Sequence, residues 1–100
     1  MPRVIWTERA SAQPADIESD ELEDQLIALA AGLSRFPERG RKIPELFGEP
    51  EYKILREVIL ARKARLLYLF IPDSSEVLIL GIILKGVIFR SELLGPYFNP

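Results

Sequence analysis

The sequence contains neither cysteine nor histidine. Without cysteine there are no disulfides, thiolate nucleophiles, cysteine-ligated zinc sites or iron–sulfur clusters. Without histidine the usual general base near neutral pH and the commonest metal ligand are gone too. Triad hydrolases and most metalloenzymes are thereby excluded, and no metal or cofactor is expected. The glycines, at 32, 40, 48, 81, 86 and 95, fit neither a phosphate-cradling loop nor a dinucleotide fingerprint. Long apolar runs are missing as well. Leu66 to Pro72 and Val77 to Phe89, the second broken by Lys85, fall short of the roughly 20 residues a membrane-spanning helix needs. The opening Met1-Pro2-Arg3-Val4-Ile5-Trp6 passes directly to Thr7-Glu8-Arg9, without the apolar stretch and cleavage site of a signal peptide. No membrane association and a cytoplasmic location are expected.

What is present fits one globular domain over residues 1–100: 48% of the residues are hydrophobic and 28% charged. A chain this short buries roughly 60–65% of the surface its unfolded form exposes, so part of the apolar content is expected to meet a partner. The net charge is −2, unevenly spread. Residues 1–34 carry two basic and seven acidic side chains, a balance of −5, whereas residues 35–65 carry nine basic and five acidic, a balance of +4. A basic middle on an acidic protein is the pattern to explain.

Val4-Ile5-Trp6 reads as a short strand, and Thr7 is placed to cap a brief helix that Pro14 interrupts. Leu22, Leu26, Leu29, Leu33 and Phe36 recur at helical spacing and predict a second helix with one apolar face. Asp16, Glu18, Asp20, Glu21, Glu23 and Asp24 crowd its start, where carboxylates favour the positive helix end, and Asp20 with Glu23 has capping-box spacing. These acids read as capping and a solvated face, with a metal site or interaction patch as the other reading. Pro37, Gly40, Pro44, Gly48 and Pro50 predict an irregular connector. Strands are predicted over Glu51–Leu60, Arg65–Ile71 and Val77–Leu84, the last buried on both faces, with a turn at Pro72-Asp73-Ser74-Ser75 and a bend at Gly86 before a continuation to Arg90. The tail from Gly95 to Pro100 suits neither helix nor central strand. The predicted class is α+β, two N-terminal helices packed on a small, mainly antiparallel sheet.

The chemical capital is cationic: Arg35, Arg39, Arg41, Lys42, Lys53, Arg56, Arg62, Lys63 and Arg65, with Tyr52 and Tyr68 nearby. Such a set on a sheet can hold phosphates and, with one cation suitably placed, cleave RNA without histidine. Solvated loop and edge-strand charges are the alternative. Arg56 shares a predicted strand face with Tyr52, Ile54, Val58 and Leu60, and a lone buried guanidinium is costly, so it is expected to pair with a carboxylate beneath the connector, the alternative being that it marks the rim of the functional groove.

Three stretches carry a resemblance: residues 2–10, Pro-Arg-Val-Ile-Trp-Thr-Glu-Arg-Ala; residues 36–46, Phe-Pro-Glu-Arg-Gly-Arg-Lys-Ile-Pro-Glu-Leu; and Arg65-Leu66-Leu67-Tyr68 followed by a turn and Val77-Leu78-Ile79-Leu80. Together they resemble the ParE/RelE toxins of bacterial type II toxin–antitoxin modules, over essentially the whole chain. The connector is more like the ParE branch. That likeness implies a plasmid-stabilization type of toxin inhibiting a protein target, DNA gyrase, without catalytic residues, and held as a hetero-oligomer by a cognate antitoxin. The antitoxin is expected along Leu22, Leu26, Leu29, Leu33 and Phe36. The alternative is the RelE branch, which cleaves messenger RNA on the ribosome; a diverged toxin that only binds its antitoxin is a third reading. The RelE pattern carries over to Lys53 and Arg65, with Arg56 or Arg90 assisting, while its remaining positions fall on Leu55, Ile88 and Leu94. With the lysine, arginine and tyrosine of that pattern replaced by apolar residues, RNA cleavage is not expected.

Overall fold

A computed structural model describes residues 1–13, 17–46 and 55–87. Strand β1 (Arg3–Trp6) is followed by helices α1 (Glu8–Ala12) and α2 (Asp20–Gly32), then β2 (Arg41–Lys42), a 3-10 turn (Pro44–Leu46), β3 (Leu55–Leu60), β4 (Ala64–Ile71) and β5 (Glu76–Leu84). The five strands form one sheet in the order β1-β5-β4-β3-β2. Among the described residues only the β1–β5 pairing is parallel; β2–β3, β3–β4 and β4–β5 are antiparallel. The fold is α+β, as the sequence predicts. Pro14, Asp16, Lys53, Arg90 and the tail lie outside the described residues, as do the start of the first predicted long strand and the end of the continuation after Gly86.

Local chemistry explains the helix ends. Thr7 caps α1, its hydroxyl oxygen accepting from the Ala10 N–H and its O–H donating to the Ile79 carbonyl at 2.8 Å, so one side chain ties the helix start to the sheet. Ser19, rather than Asp20, caps α2 by accepting from the Leu22 N–H, which puts Asp20, Glu21 and Glu23 in the first turn, beside the positive end. The helix also stops short of Phe36. Bonds from Leu33 and Arg35 to carbonyls three residues back tighten the chain after Gly32, and Pro37 cannot continue it.

The sheet has an apolar cluster on each face. Leu26 and Ala30 of α2, Leu33 just past its end and Ala10 of α1 pack on Val58, Leu66, Tyr68, Val77, Ile79 and Ile82, while Ile43, Leu55, Leu67, Leu69, Leu80 and Ile83 form the second cluster. Each fully buried leucine stabilises by about 1.5–3 kcal/mol. An irregularity at Leu67/Tyr68 pairs Leu67 with Gly81 but Tyr68 with Ile79, skipping Leu80. That extra residue changes the face parity of β5, so its unbroken apolar run fills both clusters. Beyond the end of β1, Gln13 takes over the edge of β5, accepting from the Ile82 N–H at 2.8 Å and donating to the Ile82 carbonyl.

Candidate functional site: an arginine–carboxylate chain and a tethered connector

Two polar arrangements occupy opposite faces of the sheet at its β2–β3–β4 end. On one, the register sets Arg41 of β2 directly across from Glu57 of β3, and Glu57 across from Leu67, so that Arg65 of β4 lies on the diagonal. The Glu57 carboxylate is fully buried and accepts from Arg41 Nε at 2.8 Å and from Arg65 Nε at 2.6 Å. Glu45, on the 3-10 turn after β2, closes the chain with two parallel bonds from Arg65 Nη1 and Nη2, both 2.7 Å. The hydrogen bonds from Arg65 hold the Glu45 carboxyl below the usual carboxylate value, and those to Glu45, then Glu57, raise Arg65. Two guanidinium groups face two carboxylates, so the chain is neutral.

On the helix-covered face, Arg56 and Tyr68 are cross-strand partners, and both reach the connector. Tyr68 Oη donates to the Pro37 carbonyl and accepts from the Gly40 N–H, each at 2.8 Å, while Arg56 Nη1 donates to the carbonyls of Gly40 at 2.7 Å and Glu38 at 3.3 Å. Burial pushes the Tyr68 hydroxyl up from its ordinary value. A Cβ at Gly40 would sit 2.7 Å from the Glu57 carbonyl and from the Tyr68 ring, so only glycine permits this approach. The proline-rich connector is therefore not wholly irregular. Its backbone groups are satisfied by β3 and β4 side chains, and it contributes β2.

The expected partner of Arg56 is corrected here: it is a pair of connector carbonyls, with no carboxylate bonded to it among the described residues. The carboxylate instead belongs to the neighbouring position, Glu57, which points to the opposite face. Of the RelE-pattern set Lys53, Arg65, Arg56 and Arg90, Arg65 and Arg56 fall within the described residues, and both donate to groups of the chain itself. Of the helix residues expected to meet an antitoxin, Leu26 and Leu33 are buried, Leu22 and Leu29 are partly buried against the same core, and Phe36 is 64% exposed. The four leucines are thus used by the chain's own packing. Phe36, beyond the helix end, borders an open groove of about 610 Å³ lined by Arg35, Pro37, Glu38, Arg39 and Phe70. The acids at the start of α2 form no metal-binding group among the described residues, and no described helix is long and apolar enough to cross a membrane.

Sequence reasoning singled out Arg41 and Arg65 but missed Glu57 and Glu45, the carboxylates that hold them. The signal available was a glutamate at the position between Leu55 and Ile59 on one strand face, which becomes informative once Arg41 and Arg65 are known to lie beside it.

No family model and no curated protein matches the chain. Solved structures do. A chain of the RelBE2 toxin–antitoxin complex from Mycobacterium tuberculosis is 23% identical, with 85% of this chain and all of that one covered at a TM-score of 0.70. The isolated E. coli RelE toxin is 20% identical over 93% of this chain and 90% of its own, TM-score 0.65. The E. coli RelBE toxin–antitoxin complex supplies a chain 18% identical and fully covered, matching 88% of this one at a TM-score of 0.67. The described residues, two helices on a five-stranded sheet, thus share the fold of the RelE toxin structures.

Proposed function

We propose that this chain is the toxin of a type II toxin–antitoxin module, a single RelE-type domain neutralised by a cognate antitoxin and directed, once released, at translation in the cytoplasm. The observation that carries this reading is the shared fold over nearly the full length of both chains, with toxin–antitoxin complexes among the similar structures. The groove beside Phe36 supports an antitoxin partner. Its aromatic residues, Phe36 and Phe70, and its flanking Arg35 and Arg39 suit an acidic amphipathic segment that folds as it binds. In the translation-directed reading Arg65 exchanges Glu45 for a phosphate group, since the bidentate carboxylate occupies donors whose geometry equally matches phosphate.

A second reading, a ParE-like inhibitor that binds a protein target such as DNA gyrase, is favoured by one feature. Arg65 and Arg56 engage carboxylates and carbonyls of the chain itself, which suits a structural role better than phosphate chemistry. Controlled induction separates the two. Translational arrest, with discrete transcript cuts at the ribosomal A site by primer extension that a Lys53→Ala, Arg65→Ala change abolishes, is the result expected of the RelE reading. Filamentation with an SOS response and uncut transcripts transfers the assignment to the ParE reading. Growth unaffected by a folded, antitoxin-free protein rules out both.

A further inference from the structure

The link from β3 to β4 is a tight turn built without the residues that favour one. Ala61 and Arg62 adopt φ values of 42° and 62°, and the Lys63 N–H closes the turn on the Leu60 carbonyl at 2.7 Å. Glycine or asparagine takes this left-handed backbone cheaply; here it is imposed on an alanine and an arginine, and strain of this kind concentrates at functional positions. The turn after β5 is fastened to the same corner, the Lys85 N–H donating to the Lys63 carbonyl at 2.9 Å, with Gly86 at φ 91° redirecting the chain.

Three cations from two turns, Arg62, Lys63 and Lys85, are thus gathered at one exposed corner. Among the described residues none of the three has an ion-pair partner, whereas Arg3, Arg41 and Arg65 each pair with a glutamate. A shallow hollow of about 200 Å³ adjoins them, lined by Arg62, Arg65 and Lys85 together with the apolar Ile83, Leu84 and Val87. With a net charge of −2 the whole molecule does not attract a polyanion, so attraction depends on a local excess of uncompensated cations, and this corner has one.

We propose that this corner, built on Arg62, Lys63 and Lys85, is a sequence-blind contact for the phosphate backbone of RNA, adjoining the neutral Arg41–Glu57–Arg65–Glu45 chain at Arg65; the choice of RNA rests on the translation-directed reading above. The cations engage phosphate oxygens and the apolar wall takes a ribose face.

Fluorescence anisotropy of the purified protein with a labelled RNA hairpin of arbitrary sequence, read across a salt series, tests this. Three phosphate contacts contribute about 2–3 to the slope of log affinity against log salt. The R62Q/K63Q/K85Q variant is expected to lose that slope and at least about tenfold in affinity at low salt. Arg62→Gly, which relieves the backbone while removing one cation, is expected to lose about one unit of slope. R35Q/R39Q, altered at the Phe36 groove, and a scrambled hairpin are expected to match the parent. The proposal is overturned if the parent does not bind, if the triple variant binds equally while melting at the parent temperature, or if an acidic peptide of equal charge binds the corner as tightly. Failure of the translation-directed reading is separately visible: induced cells then keep translating while the corner's salt-dependent RNA binding persists.

Discussion

Glu57 is the position at which a single substitution should be felt most. Its carboxylate is fully buried and holds Arg41 and Arg65 at 2.8 and 2.6 Å. Replacing it by glutamine keeps the volume but leaves two guanidinium groups facing a neutral amide. Breaking a buried ion pair from one side costs about 3–5 kcal/mol when the remaining charge stays dry. Here Arg65 keeps its two bonds to Glu45, and the Arg41 side chain, 57% exposed, rehydrates. The loss therefore falls below that range, at about 2–3 kcal/mol. Urea unfolding reads this directly: with a slope of about 2 kcal/mol per molar, the midpoint falls by about 1–1.5 M. Thermal melting should fall by about 10–20 °C. Arg65→Gln made on top of Glu57→Gln should cost less than it does alone, because the two share one interaction. A change below about 0.5 kcal/mol, the level of exposed surface positions, would refute the claim that this chain of charges holds β2, β3 and β4 in register.

Two further outcomes follow from the same end of the sheet. Tyr68→Phe leaves the Pro37 carbonyl and Gly40 N–H without their partner and should destabilise by about 1–3 kcal/mol in chemical denaturation; an unchanged midpoint would mean that the connector is held by other contacts. Because Arg65 lowers the Glu45 carboxyl below 4.5 in the folded chain, the unfolded chain protonates first as the pH falls. The stabilisation is whole above 4.5 and is lost as the pH drops through the folded value. Glu45→Gln should flatten the acid limb of a plot of urea midpoint against pH, modestly, since this side chain is 43% exposed. Identical acid limbs would show that the pair contributes nothing.

Local sequence determined a good part of this architecture. Thr7 as a cap, the Leu22 to Leu33 periodicity, the Pro72 to Ser75 turn and the apolar run of β5 each depend on residues a few positions apart, and each forms where the sequence puts it. Where the sequence misled, a competing local device was at work: Ser19 took the cap from Asp20, and Gly32 with Pro37 ended the helix before Phe36. The rest depended on register. Period-two alternation says which residues share a strand face, but not which strand lies alongside or at what offset. Hence the parallel β1–β5 pairing, the shift at Leu67/Tyr68 and the meeting of Glu57 with Arg41 and Arg65 were settled by tertiary structure alone. Arg56 shows the reason most clearly. Its strand position was legible in the sequence, yet the groups it bonds belong to a connector whose path depends on Gly40 passing within touching distance of Tyr68, a contact between residues 28 positions apart.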